Sequence, residues 1–111
     1  MIHVIYGDNR FLGLEKVEEI MGGFEDFERS DFMSSHADFD FGRVFEAAST
    51  VSMFHEFRLI LVHIETEKDI NKVDVSLLES ILKLPKVVVI LWLPKKLEKK
   101  HVLSKILGKG V

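Results

Sequence analysis

Runs of continuous apolar residues alternate along this chain with stretches in which apolar residues recur at helical spacing. Ile2 to Tyr6 is apolar at nearly every position, the pattern of a central strand covered on both faces. Asp8 or Asn9 can then cap a helix in which Leu14, Val17 and Met21 share one face, with Glu15, Glu18 and Glu19 on others. Gly22-Gly23 ends that helix, because glycine accepts the left-handed conformation of a C-cap. Phe24 to Phe32 alternates loosely between aromatic and charged residues, which predicts a short, half-exposed strand over Phe27 to Asp31 towards an edge. Beyond the polar loop Ser34-Ser35-His36, Asp40 caps a second helix with Phe41, Val44, Phe45 and Ala48 as its apolar stripe. Phe57 to Ile64 reads as a third strand and Glu65 to Lys72 as a polar connection. Ser76 and Glu79 have capping-box spacing at the head of a third helix, which buries Leu77, Leu78, Ile81 and Leu82 and stops at Pro85. Lys86 to Leu93 is a fourth strand. A last helix from about Leu97 to Leu107 turns Val102, Leu103, Ile106 and Leu107 inward and its lysines outward, and Gly108 closes it.

This β-α-β-α-β-α-β-α order predicts an α/β fold of three layers: a mostly parallel sheet of about four strands with helices on both faces. At 111 residues it is one domain. Gly108-Lys109-Gly110-Val111 would turn into a fifth strand just where the sequence stops, so either the sheet has four strands or this is a fragment of a longer chain; the fragment is the expectation. No apolar run approaches the ~20 residues of a membrane span, and the N-terminus has no basic leader or small-residue cleavage site. With no cysteine, disulfides and thiolate metal sites are excluded and a cytoplasmic protein is expected. The net charge of −3 is unevenly spread. Ten acids against Lys16, Arg29 and Arg43 lie between Glu15 and Glu46, whereas six lysines face Glu98 alone from Pro94 onward. A polyanion partner for Lys95, Lys96, Lys99, Lys100 and Lys105 is thinkable, but a solvated helix face accounts for them more simply.

Catalytic chemistry finds little footing. The turn after the first strand, Tyr6-Gly7-Asp8-Asn9-Arg10-Phe11-Leu12, sits where a nucleotide-binding phosphate loop would. Such a loop needs converging glycine amides, a lysine for the terminal phosphates and a Ser or Thr for magnesium. Gly7 and Gly13 are one residue too far apart, and Leu14 and Glu15 stand in the place of Lys and Ser/Thr. Asp8 and Glu15 would also repel phosphate at a helix N-terminus. His3, His36, His55, His63 and His101 form no metal-ligand spacing, the dense acids Glu25, Asp26, Glu28, Asp31, Asp38 and Asp40 suit a solvated surface, and the serines look like turn, cap and surface residues. The third strand ends at His63-Ile64 without the aspartate of a phosphoacceptor site. No catalytic residue, cofactor or metal is therefore expected. The alternative to a non-enzymatic reading is a nucleotide-binding α/β enzyme with an aberrant phosphate loop.

One apolar pair escapes the pattern. Met53 and Phe54 lie in the connector between the second helix and third strand, among Ser49, Thr50 and Ser52. Connectors run over the surface, and an adaptable Met beside a large Phe suits a partner's pocket. The pair could equally tuck under the second helix.

These segments, in this order, resemble the N-terminal domain of the DNA polymerase III delta subunit of the bacterial clamp loader. Tyr6 to Leu12 is similar to the family's opening Tyr-Gly-acid-x-x-Phe-Leu, and Phe24 to Asp31 to its second-strand segment. Ser52-Met53-Phe54 followed by Phe57 to Val62 is similar to its small-(Leu/Met)-Phe element leading into an Arg-x-aliphatic strand; Lys86 to Leu93 with Lys96 to Lys99 is similar to its fourth strand and next helix start. The resemblance implies an AAA+-like scaffold that has lost nucleotide binding, with no intrinsic activity outside the DNA-directed DNA polymerase assembly. It implies that Met53 and Phe54 enter the hydrophobic pocket of the sliding clamp and favour ring opening, with Thr50, Val51, Ser52 and His55 as rim. The implied partners are the clamp, other clamp-loader subunits and, only indirectly, DNA; no membrane is implied. The family's longer chain adds lid and collar domains, and its fifth strand pairs beside the first. Without that strand the first-strand edge is open and an isolated fragment could dimerise through it.

Overall fold

The computed structural model describes residues 1–7, 9–50 and 55–95. Asp8, the pair Met53 and Phe54 with Val51 and Ser52, and the helix expected over Leu97 to Leu107 lie outside the described residues. The elements are β1 (Ile2–Tyr6), α1 (Arg10–Met21), β2 (Phe27–Met33), α2 (Phe41–Ser49), β3 (Phe57–His63), a 3-10 turn (Glu67–Lys72), α3 (Val75–Leu82) and β4 (Val87–Leu93). The four strands form one sheet in the order β1-β4-β3-β2, and every pairing is parallel. The α/β architecture with helices on both faces is thus present. No described helix is long and apolar enough to cross a membrane.

Two cores lie on the two faces of the sheet. Ile60, Val62 and Ile64 with Val87, Val89, Leu91 and Leu93 pack against α2 and α3. The alternate residues, Leu59 and Leu61 with Val88, Ile90 and Trp92, pack against Val17 and Met21 of α1. Alternation of side chains along a strand sends successive residues to opposite layers, so β3 and β4 must be apolar throughout. β4 is buried at all seven positions.

Several expectations need correction. Among the described residues β1 is an edge strand, paired only with β4, and His3 and Val4 are half-buried. Its continuous apolar run had suggested a central strand. β2 runs two residues further than expected, to Met33, as the other edge. Asn9 caps α1 by accepting from the Leu12 amide at 3.1 Å. Leu14 points outward, and the buried face of α1 is Gly13, Val17 and Met21. Gly22 ends α1 in a right-handed conformation (φ −62°), the last turn tightening through Gly23 N–H to Ile20 O and Phe24 N–H to Met21 O. The cap of α3 is Asp74, which accepts from the Leu77 amide at 3.1 Å; Ser76 lies inside the helix. Asp40 does cap α2, through the Gly42 amide. The polar connection after β3 contributes to the core, burying Ile70 and Val73.

Candidate functional site

The two ends of the sheet have different characters. At the carboxyl end, the turn after β1 holds Gly7 at φ +126°, a conformation that favours glycine. Both of its backbone groups are engaged: its N–H donates to Leu93 O at 3.0 Å, and its carbonyl accepts from Trp92 Nε1 at 3.0 Å. Trp92 also explains Gly13. A Cβ on Gly13 would lie 2.5 Å from Cε2 and Cη2 of the indole and closer still to Cζ2. The ring is stacked on its other side by His63, with centroids 3.9 Å apart and planes 10° from parallel. The two glycines of the would-be phosphate loop are therefore spent on seating a tryptophan. Burial pushes the His63 imidazole pKa down, opposed by the nearby Glu65 carboxylate and assisted by Arg10. Around this end Tyr6, Phe11, Leu12 and Leu14 are exposed, Phe11 at 71%.

Ser34, expected as a surface loop residue, is fully buried at the same end of β2. Its hydroxyl accepts from the Glu65 amide at 2.9 Å, its carbonyl accepts from Lys72 Nζ at 3.0 Å, and its hydrogen bond to Asp69 holds that carboxyl below the ordinary aspartate range. Buried and satisfied in this way, it is a structural residue. Among the described residues no group of three His, Asp or Glu could hold a metal ion.

The amino-terminal end of β3 and β4 carries the connector that holds the apolar pair. Its near flank is closed by the C-terminus of α2, where Thr50 donates its N–H and its hydroxyl to Glu46 O at 3.0 and 2.7 Å and Ser49 Oγ donates to Phe45 O at 2.8 Å. Its far flank is gripped by Asp26, from the turn before β2. The Asp26 carboxylate meets His55 Nδ1 at 2.8 Å and accepts from the Glu56 amide at 3.1 Å, while its carbonyl accepts from the Phe57 amide at 3.1 Å. The bond to His55, then that from Glu56, keeps the Asp26 carboxyl below its ordinary pKa. Of the sequence-predicted site residues, Thr50 and His55 are thus exposed and fixed by hydrogen bonds, whereas Val51, Ser52, Met53 and Phe54 lie outside the described residues. No local pattern marks Asp26 as an anchor: it contacts residues about thirty positions on in the chain. Arg58, next on the same side, is buried and pairs with Glu28 at 3.3 Å.

A family model described as DNA polymerase III, delta subunit, matches residues 3–111. Comparison with curated proteins and with solved structures returned no match.

Proposed function

The chain belongs to the DNA polymerase III delta subunit family, and from that premise we propose that it is the clamp-binding module of a DNA-replication clamp loader, with Met53 and Phe54 as its anchors. The match over residues 3–111 carries this reading. The connector supports it. The described residues on either side of positions 51–54, Thr50 and His55, are exposed and each tied down by hydrogen bonds, so the flanks of the pair are fixed. Held ends lower the ordering cost of docking. The clamp contributes an apolar pocket, and burying each anchor fully would contribute ~1.5–3 kcal/mol. Thr50, Val51, Ser52 and His55 form the rim. Binding that is stronger to an opened ring interface than to a closed one shifts the ring towards opening.

The AAA+-like scaffold would serve here without nucleotide. A phosphate needs free backbone amides, and the amide of Gly7 is already given to Leu93 O. Leu14 and Glu15 offer neither the lysine nor the hydroxyl of a working loop. Within the reading, the chain is one domain of a longer subunit, its neighbours are other loader subunits, and DNA is met only through the assembly. The edge of β1, which carries no Asp, Glu, Lys or Arg, is where two isolated copies would pair.

Titrating the clamp against the wild-type chain and the Met53→Ala/Phe54→Ala variant tests the proposal. Loss of binding with an unchanged melting temperature is expected, each side chain acting as a hot spot of at least ~1–2 kcal/mol. Equal affinities would refute it.

A further inference from the structure

Below the C-terminus of α2, where β3 and β4 begin, lies a cavity of about 400 Å³. Ala48, Leu84 and Val87 give it apolar walls, and among the described residues Arg58 and Lys86 line it with positive charge against the carboxylate of Glu56. Arg58 is 8% exposed, yet its guanidinium is poorly partnered. One corner, Nη2, reaches Glu28 Oε2 at 3.3 Å, and Nε is buried with no hydrogen-bond partner among the described residues. A buried guanidinium normally has its planar fork matched by acceptors, since an unpaired buried charge is costly. Lys86 adds a second oddity, standing at φ +58°, a backbone conformation uncommon for a residue with a side chain. Strained residues and orphaned donors cluster where a partner completes the structure.

The cavity also has a defined neighbour. Thr50 and His55, the two described residues that bracket the Met53–Phe54 connector, both line it. A partner surface that docks over Thr50 and His55 therefore meets the cavity. We propose that the cavity receives a carboxylate of the sliding clamp, an Asp or Glu side chain beside the clamp's apolar pocket, with Arg58 as its donor and Lys86 as the second positive charge. This rests on the clamp-binding reading. A small rotation of the guanidinium into the cavity presents Nε and one Nη together, the geometry that pairs with both oxygens of a carboxylate. The apolar pair then supplies most of the affinity and Arg58 the orientation.

Clamp affinity of the wild type, Arg58→Leu, Arg58→Lys and Met53→Ala/Phe54→Ala, each at low and high salt, tests this. Arg58→Leu should bind about tenfold more weakly at low salt, with a shallower salt dependence, and Arg58→Lys should fall between it and the wild type. Wild-type affinity and salt dependence in Arg58→Leu, with binding lost in the double variant, would overturn this inference and leave the clamp reading standing. Equal binding by wild type and double variant would overturn both. Should Arg58→Leu fail to fold, the wild-type Arg58 Nε–H resonance decides: it shifts downfield when clamp is added if a carboxylate reaches it, and an unmoved resonance overturns the proposal.

Discussion

Gly13→Ala offers the sharpest test of how the carboxyl end of the sheet is built. In an unconstrained helix this change stabilises, by about 0.8–1 kcal/mol of helix propensity. Here the added methyl would fall on the indole of Trp92, within 2.5 Å of Cε2 and Cη2. The ring has no easy retreat: it is 3% exposed, stacked on His63 at 3.9 Å and hydrogen-bonded to Gly7 O at 3.0 Å. Overpacking costs ~1–3 kcal/mol, and breaking the indole bond would leave a carbonyl unsatisfied at a further ~1–3 kcal/mol. Set against the propensity gain, the net loss should be about 1–5 kcal/mol, a fall in Tm of about 4 °C or more. Urea unfolding followed by fluorescence suits the question, because Trp92 is the single tryptophan and reports on its own seat. Trp92→Phe in the Gly13→Ala background, followed by circular dichroism because it retains no tryptophan, should recover part of the loss, since the smaller ring leaves room for the methyl. A Gly13→Ala protein as stable as wild type, or more so, would refute the claim that this glycine exists to admit the tryptophan.

Other outcomes follow from the same geometry. Lys86→Gly should raise stability by about 0.5–1 kcal/mol in urea melts, because glycine relieves the positive φ while gaining some unfolded-state entropy. His63 titrates below its ordinary 6.5 in the folded state because it is buried. Its folded form therefore resists protonation: the linked stability is fully present above pH 6.5 and is lost as pH falls through the lowered value. Melts across that window should show a steeper loss for wild type than for His63→Phe, which keeps a ring against Trp92 but cannot titrate. Identical slopes would remove the role given to His63.

Legibility in the sequence followed the range of the interactions. β3 and β4 were plain, since a strand buried on both faces must be apolar at every position. The caps at Asn9 and Asp40 were also readable, because they act on amides two or three residues away. Gly13 was not: a glycine buried by another element's side chain leaves no mark in a hydrophobic pattern, which puts Leu14 on the inward face in its place. Asp74 lost to Ser76 because the capping-box spacing of Ser76 and Glu79 suggested a start two residues late. Ile70, in a 3-10 turn too short to show a period, and Val73, the residue that ends it, are hidden among charged neighbours. Asp26 and Arg58, which shape the base of the candidate site, answer to His55, Glu56 and Glu28, each about thirty residues distant in the chain. The Met53–Phe54 pair was conspicuous for the opposite reason, as apolar residues with no periodic stripe to join.

The central claim is that position 54 meets the clamp. A photoreactive benzoylphenylalanine at position 54, and separately in place of the exposed Phe11 at the opposite end of the sheet, measures that contact directly. Crosslinking from position 54 into the clamp's apolar pocket, with none from position 11, is the predicted result. Crosslinking from position 11 alone, or from neither, would contradict the account.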